Sequence, residues 1–225
     1  MAYNLEEQES IDNLKNWWDK WGTPVLCVVT AGCLAVAGWN GWKWWNHRQT
    51  AKASFAYAEL QNAVGRDDAK NVKSLSDGLT DKYGSTVFGP LAAFSAARYA
   101  EDHGDAATAR AKLQWIVDHG GREEFEAIAR VRLAGLLLDN KENDKALAAL
   151  SSFKPKSDAE RVIVSDRLGD VYEAMGKPDE ARKAWKEAFE TARPGDPLRN
   201  LLQIKMDSLP EAAASASPKA SAAAG

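Results

Sequence analysis

The sequence predicts an all-α protein in which one membrane-spanning helix is followed by an array of packed helical hairpins and a closing helix. An uncharged run lies near the start of the chain, and apolar residues recur at helical spacing after it. The alternation that is typical of β-strands does not extend over a useful length anywhere. With 225 residues, 27% of them charged, and a mean hydropathy of −0.43, the composition fits one membrane span joined to one soluble domain.

The uncharged run extends from Trp21 to Trp42, between Lys20 and Lys43. As an α-helix it would be about 33 Å long, close to the hydrocarbon thickness of about 30 Å. Most of the nine tryptophans lie at its two ends, where amphipathic rings favour the headgroup layer. They are Trp17, Trp18, Trp21, Trp39, Trp42, Trp44 and Trp45. We therefore predict a transmembrane helix over residues 21–46.

A cleaved signal peptide and a buried core helix are the alternatives to a retained span. Ala35 and Ala37 form a small-x-small pair that a signal peptidase could recognise. However, the segment before the run is acidic and aromatic, whereas a signal peptide begins with a short basic region. A core helix would not require tryptophans at both ends. Both observations favour a retained membrane helix.

Residues 1–20 begin polar and acidic, but apolar residues recur among them at helical spacing. Ile11, Leu14, Trp18 and Trp21 share one helical face. This spacing predicts a short amphipathic helix at the membrane surface just before the span. The alternative is a frayed N-terminal tail.

Positive charge near the span gives only a weak indication of orientation. Lys15 and Lys20 precede the span, and Lys43, Arg48 and Lys52 follow it. This bias leans towards a cytoplasmic C-terminal domain, although long domains translocate largely regardless of such charge. Orientation is therefore left open by the residues.

Four residues of the span share one helical face and are mostly small. Ala31, Ala35, Gly38 and Trp42 form a candidate seam along which another membrane helix could approach closely. The alternative is ordinary use of small residues in membrane helices.

The soluble domain is predicted to cover residues 47–209 and to begin with an atypical hairpin at about 50–84. An Ala-rich helix continues from the span until Gly65, and a second helix runs from about Asp67 to Tyr83.

A pattern of about 34 residues then recurs, and it is clearest between residues 162 and 195. Its residue types stand at the offsets of the tetratricopeptide repeat, a helix-turn-helix unit. They are Leu168, Gly169, Tyr172, Gly176, Ala181, Trp185, Ala188 and Pro194. Trp185 stands where Phe or Tyr is usual, and Pro194 is displaced by one position.

The same offsets recur twice upstream, in repeats that begin near residues 90 and 127. The first contains Ala97, Ala100, Gly104, Ala109, Leu113 and Ile116, and the second Leu133, Ala134, Leu137, Ala146 and Leu150. In the second, Lys141 stands in place of the turn glycine. The chain is therefore predicted to form a tetratricopeptide-like α-solenoid of about four helix pairs, because stacked pairs bury a continuous core.

A capping helix and a tail are predicted to end the chain. The helix runs from Pro197 to about Ser208 and is capped by Asp196. Four leucines are predicted to cover the last repeat: Leu198, Leu201, Leu202 and Leu209. Residues 210–225 are almost all Ala, Ser and Pro, which predicts a disordered tail.

The sequence favours binding over catalysis. No phosphate loop, metal-ligand spacing or nucleophile motif is present, so no cofactor or metal and no enzymatic activity is expected. His103 and His119 each precede a glycine at a predicted helix end, where an imidazole caps terminal carbonyls. A net charge of −3 gives no reason to expect nucleic acid as a partner. Both cysteines, Cys27 and Cys33, lie within the span.

The first helix of each repeat is predicted to line a partner groove. The residues placed on that face are Phe94, Arg98, Ile128, Val131, Leu138, Ile163, Asp166 and Asp170. A partly apolar groove would suit an extended or unfolded polypeptide. The alternative is that the same residues pack against the first hairpin.

The whole layout resembles the YfgM family of ancillary subunits of the bacterial SecYEG translocon. The resemblance rests on the acidic N-terminal tail, on the tryptophan-rich end of the span from Gly38 to Asn46, and on the repeats that follow. It covers residues 1 to 209 and leaves out the tail.

The resemblance implies an inner-membrane protein with a cytoplasmic N-terminus and a periplasmic repeat domain. It implies association with the translocon and with the membrane-anchored chaperone PpiD, and transfer of newly translocated, unfolded polypeptides to periplasmic chaperones. A role in restraining an envelope stress response is also implied. The alternative function is a structural tetratricopeptide scaffold or stress-response regulator in the lipid bilayer, without affinity for unfolded clients.

Overall fold

The computed structural model describes residues 3–119 and 123–210, and these ranges contain nine α-helices and no β-strand. The all-α prediction is confirmed. The helices are α1 (Tyr3–Gly65), α2 (Ala69–Tyr83), α3 (Phe88–Asp102), α4 (Ala106–His119), α5 (Glu123–Asp139), α6 (Asn143–Ser151), α7 (Asp158–Ala174), α8 (Pro178–Thr191) and α9 (Pro197–Ser208).

The first helix, α1, is continuous from the N-terminal segment through the predicted span into the soluble domain. It contains the N-terminal amphipathic segment from Tyr3 onward, the predicted span and the first helix of the soluble domain, and it ends at Gly65 as predicted. Pro24 lies inside it without interrupting it. The chain divides into two compact units, residues 1–52 and 53–225.

The first unit exposes the side chains of its apolar segment. Val28 and Leu34 are among its exposed residues, and the tryptophans on both sides of the segment are exposed as well. The helix is long and apolar enough to cross a membrane. This pattern fits a surface that contacts lipid, because a helix that is apolar all round is favourable in a membrane or in a protein core, and only 6% of this apolar window is buried within the structure.

In its described residues, the second unit contains four hairpins and the closing helix α9. The C-terminal part of α1 packs against α2, where Leu60 and Ala63 share one buried cluster with Val72 and Leu79. The other pairs are α3 with α4, α5 with α6 and α7 with α8. Within each hairpin, one residue at the turn adopts a left-handed backbone conformation. These residues are Asp67 (φ 58°), Gly104 (φ 74°), Lys141 (φ 60°) and Gly176 (φ 70°).

All four turns close with the same hydrogen bond. The N–H group of the residue after each left-handed residue donates to the carbonyl oxygen five residues back, at 2.8 to 3.0 Å. This is the Schellman arrangement, which satisfies the last carbonyls of the first helix. The donor and acceptor pairs are Asp68 and Ala63, Asp105 and Ala100, Glu142 and Leu137, and Lys177 and Tyr172.

The first hairpin is therefore a regular fourth repeat, and the prediction that it is atypical is wrong. Its turn residue, Asp67, precedes Gly104 by the same 37 residues that separate Gly104 from Lys141. Five of its buried residues fall at the repeat offsets: Leu60, Ala63, Val72, Ser76 and Leu79. The sequence contains this repeat, but the pattern is harder to recognise because Asp67 stands at the turn position and Ser76 stands where the other repeats have a large apolar residue.

The residues at the repeat offsets form the core. Ala97, Leu113 and Ile116 are wholly buried together with residues of the next repeat. Trp185 is wholly buried, and its indole N–H donates to the carbonyl oxygen of Asp166 at 3.0 Å. This hydrogen bond satisfies the one polar atom that distinguishes tryptophan from phenylalanine at this site.

The closing helix α9 has the predicted cap and an exposed face that was not predicted. Asp196 accepts a hydrogen bond from the N–H group of Leu198 at 2.9 Å. Leu202 and Leu209 are buried, but Leu201 is 47% exposed, so the prediction that it covers the last repeat is wrong. Adjacent residues of a helix lie about 100° apart, so Leu201 and Leu202 cannot both face α8. The tail predicted for 210–225 lies outside the described residues beyond Pro210.

Candidate functional site

An open cleft of about 530 Å³ lies between α1, α3 and α5, which are the first helices of the first three hairpins. Of the predicted groove residues, Phe94 and Arg98 line it. Residues outside the predicted groove complete its lining: Tyr57, Gln61, Val64, Asp67, Leu91, Ser95, Tyr99, Asp102, His103 and Arg132.

Three aromatic side chains line the cleft, those of Tyr57, Phe94 and Tyr99, and two of them pack against rings outside its lining. The ring centroid of Tyr57 lies 5.6 Å from that of Phe88, and the centroids of Phe94 and Phe125 are 6.2 Å apart. Phe94 is half-buried, so part of its ring remains accessible from the cleft. A partly exposed aromatic surface of this kind can pack against apolar side chains of a ligand.

A network of polar groups lies at one edge of the cleft, between the C-terminal end of α3 and the turn of the first hairpin. The hydroxyl of Tyr99 donates to the Asp67 carboxylate at 2.6 Å, and Nε2 of His103 lies 2.8 Å from the same carboxylate. The hydrogen bond from Tyr99 lowers the pKa of Asp67, and the same bond raises the pKa of Tyr99 to about 12. These contacts tie α3 to the turn of the first hairpin.

His103 also caps α3, directly after which it lies, and His119 caps α4, of which it is the last residue. Nδ1 of His103 lies 2.7 Å from the carbonyl oxygen of Tyr99, and Nδ1 of His119 lies 3.1 Å from that of Trp115. The prediction that these histidines cap terminal carbonyls is confirmed. The Tyr99 carbonyl and, to a smaller extent, the Asp67 carboxylate raise the pKa of His103.

The two arginines of the cleft differ in their partners. Nε of Arg98 lies 3.0 Å from the carboxylate of Asp102, one turn along the same helix. The guanidinium carbon of Arg132 lies 5.1 Å from the ring centroid of Phe94, within the range of a cation–π interaction. The cleft therefore presents one cation paired with an acid and one cation stacked on an aromatic ring.

The remaining apolar residues of the predicted groove lie outside the lining of the cleft. Val131, Leu138 and Ile163 are half-buried against the main core, and Ile128 is exposed. This packing differs from the alternative raised for them, because they contact the core that the second, third and fourth hairpins share and not the core of the first hairpin. Their role in binding a partner stays a prediction.

The two predicted groove carboxylates contact the closing helix. Nζ of Lys205 in α9 lies 2.6 Å from Asp166 and 2.7 Å from Asp170. Burial on its own would lower the pKa of Lys205, but the hydrogen bonds to both carboxylates outweigh it and raise that pKa. The ammonium group also lies 5.5 Å from the ring centroid of Trp185. This cluster fastens α9 to the last repeat.

The predicted membrane seam lies on an exposed face of α1. Ala31, Ala35, Gly38 and Trp42 are all exposed in the first unit, and a β-carbon added at Gly38 would meet nothing within 4 Å. The seam stays a prediction. Among the described residues, no three His, Cys, Asp or Glu side chains are arranged to hold a metal ion.

Comparison with known proteins shows the family. The family model of the tetratricopeptide repeat-like domain matches residues 15–211. The ancillary SecYEG translocon subunit of Neisseria gonorrhoeae is 30% identical over 213 residues, which are 93% of this chain and 100% of that protein. The chain belongs to the YfgM family.

Other proteins that resemble this YfgM-family chain carry the same name. The ancillary SecYEG translocon subunit of Haemophilus influenzae is 27% identical, over 85% of this chain and 92% of that protein. The Escherichia coli protein of that name is 27% identical, over 90% of this chain and 96% of that protein.

Among solved structures, a variant of a Podosopora anserina putative kinesin light chain with nearly identical tetratricopeptide-like repeats is similar, with a TM-score of 0.50 and 16% identity. The similarity covers 72% of this chain and 84% of that chain. At this identity the similarity concerns the fold alone, and it agrees with the repeats found in the second unit.

Proposed function

We propose that this chain is an ancillary subunit of the SecYEG translocon in the bacterial inner membrane, where its cleft holds newly translocated polypeptides before periplasmic chaperones receive them. One observation carries the proposal: a helix apolar enough to span a membrane continues into a repeat domain with an open, partly aromatic cleft. The relatives named as translocon subunits match this chain across both parts. The chain would act by binding, without catalysis.

The cleft suits a polypeptide in an extended conformation. It is open to solvent, it is formed by the first helices of three successive hairpins, and it exposes parts of Tyr57 and Phe94. Apolar segments of an unfolded chain can bury their side chains on such a surface with little ordering of the protein itself. A folded client would already have buried those side chains.

The seam on α1 would hold the chain at the translocon. Small residues such as Ala35 and Gly38 allow two membrane helices to approach closely, which strengthens packing where lipid offers no hydrophobic driving force. A photoreactive amino acid at position 35 is expected to crosslink to a translocon subunit in native membranes. The same group at position 33, on the opposite face of α1, is expected to contact mainly lipid.

The membrane-anchored chaperone PpiD is the proposed second partner, because the resemblance to the family implies it. If the chain were a scaffold without affinity for clients, PpiD and the translocon would copurify with it while unfolded polypeptide would not crosslink to the cleft. A client that crosslinks at the cleft distinguishes the two functions.

The proposed orientation places the N-terminus in the cytoplasm and the repeat domain in the periplasm. In a chain with Cys27 and Cys33 replaced by serine, a Lys186→Cys label site is expected to react with a membrane-impermeant maleimide once the outer membrane is permeabilised. An Asn13→Cys site is expected to react only after the inner membrane is broken. Labelling of position 186 only after inner-membrane lysis would overturn the proposal.

A further inference from the structure

Arg132 is a cation of the cleft without a carboxylate partner among the described residues. Several cations on the first helices of other hairpins and on α9 pair with nearby acids. Arg98 pairs with Asp102, and Lys205 pairs with Asp166 and Asp170. Arg167 pairs with Asp170 at 3.1 Å.

The sequence around Arg132 explains why it has no such partner on its own helix. The residues three and four positions away on α5, which are the ones that can reach it, are Ile128, Ala129, Gly135 and Leu136. None of them is acidic. The neighbouring helix α3 presents Phe94 to the guanidinium rather than a carboxylate.

The contact with Phe94 gives this free charge a defined position. A guanidinium that stacks on an aromatic ring is held by one face, so its N–H groups remain directed outward in their planar arrangement. Such a group can donate two parallel hydrogen bonds to a carboxylate, and the side-chain entropy lost on binding is reduced because the stack already restricts the arginine. The partly exposed ring of Phe94 supplies an apolar surface next to the charge.

We propose that Arg132 and Phe94 form a carboxylate-binding subsite of the cleft, which selects polypeptide segments in which a carboxylate lies beside an apolar side chain. This inference rests on the proposed function, since it assumes that the cleft holds polypeptide, and it adds a chemical preference. The carboxylate has two possible sources, an Asp or Glu side chain and the C-terminus of the bound chain. Both present the same two oxygen atoms to the guanidinium.

The test uses the full chain in lipid nanodiscs and four fluorescent, N-acetylated ten-residue peptides. Each has a central Phe-Leu pair, flanked by either two Glu or two Gln, and each ends in either a free or an amidated carboxyl group. Anisotropy titrations with the wild-type chain are expected to give about fivefold tighter binding of the amidated Glu peptide than of the amidated Gln peptide. The free-acid Gln peptide shows whether a C-terminal carboxylate substitutes for a side chain.

Variants assign the preference to its residue. Arg132→Gln is expected to reduce the Glu-to-Gln ratio to about one, while binding of the amidated Gln peptide changes less than about twofold. Arg132→Lys is expected to retain part of the preference for the Glu peptide, because lysine keeps the charge but lacks the planar pair of donors. Arg193→Gln, at an exposed arginine just after α8, is the matched control and should leave the ratio unchanged.

Each outcome bears on a different claim. A Glu-to-Gln ratio that survives in Arg132→Gln overturns the subsite. Equal binding of all four peptides to the wild-type chain also overturns it, while the proposed holding of polypeptides still stands. If none of the peptides binds, both the subsite and the holding of polypeptides are overturned.

Discussion

The backbone of Gly169 in α7 lies directly against the indole ring of Trp185 in α8, so that a β-carbon on Gly169 would collide with that ring. Trp185 is wholly buried, and hydrogen bonds to Asp166 and Asp170 fix its indole N–H. The ring therefore cannot move aside without losing both packing and hydrogen bonds. The last hairpin depends on glycine at this position.

Replacing Gly169 with alanine is expected to destabilise the repeat domain by about 3 kcal/mol, because the added methyl group overpacks a fixed tryptophan. The free energy of unfolding in urea, followed by circular dichroism, measures this loss. Gly135→Ala is the matched control, since its β-carbon would meet Arg167 at an ordinary distance of 3.8 Å. The control should be neutral or stabilising by about 0.5 to 1 kcal/mol, because alanine favours a helix more than glycine does. Equal effects of the two substitutions would contradict the close packing at Gly169.

Replacing Lys141 with glycine is expected to stabilise the third hairpin. Lys141 has a φ of 60°, a conformation that costs an L-residue with a β-carbon about 1 kcal/mol and costs glycine nothing sterically. Part of this gain is offset by the greater freedom of glycine in the unfolded chain. Lys141→Ala removes the charge but keeps the strain, so it should not raise the urea midpoint. A gain in stability from alanine that equals the gain from glycine would show that charge, rather than backbone strain, is responsible.

The raised pKa of His103, caused first by the Tyr99 carbonyl and to a smaller extent by the Asp67 carboxylate, makes the junction of the first two repeats sensitive to pH. Because the folded state raises the pKa of His103, the stabilisation is complete below the ordinary imidazole pKa of about 6.5 and is lost as pH rises through the raised value. Asp67 has a lowered pKa, so its contribution is lost only as pH falls through that lowered value. The junction is therefore most stable in mildly acidic solution.

An NMR titration of the His103 ring should give a pKa above about 6.5 in the wild-type chain. Asp67→Asn should lower that pKa without returning it fully to its ordinary value, since the Tyr99 carbonyl remains. An unchanged pKa in Asp67→Asn would show that the carboxylate does not stabilise the imidazolium.

Replacing Lys205 with methionine is expected to destabilise the closing helix by about 2 kcal/mol. The substitution leaves Asp166 and Asp170 partly buried without the ammonium group that lies within 2.7 Å of both. Lys186→Met is the control, because Lys186 and its partner Glu190 are 66% and 65% exposed and lie 3.7 Å apart. Exposed pairs of this kind contribute at most about 1 kcal/mol. Hydrogen exchange of α9 amides compares the two variants, and equal protection in both would contradict a structural role for Lys205.

Local sequence patterns predicted most of the fold, because each repeat contains its own helix spacing and turn. Even the turn at Lys141, where the expected glycine is absent, was predicted correctly from the offset alone. The first hairpin was misjudged because Asp67 and Ser76 are unusual residues at their offsets. A pattern match weighs residue types, whereas the turn depends on a backbone conformation that aspartate also adopts.

The candidate site was less predictable, since it depends on contacts between distant residues. The sequence placed Asp166 and Asp170 on the first helix of their repeat, but nothing in the local pattern pointed to Lys205. Likewise, the sequence selected Phe94 and Arg98 and missed Arg132, which reaches Phe94 from the next repeat. Helical periodicity gives the face of a residue and does not give its partner across helices.

Photocrosslinking in native membranes tests most directly whether the cleft holds translocating polypeptide. A photoreactive amino acid replaces either Arg98, which lines the cleft, or Glu187, which is exposed on α8, while a secreted protein is being translocated. We expect adducts with the secreted chain from position 98 and few from position 187, even though both variants remain in the membrane. Equal crosslinking from both positions, or none from position 98, would contradict a cleft that binds newly translocated chains.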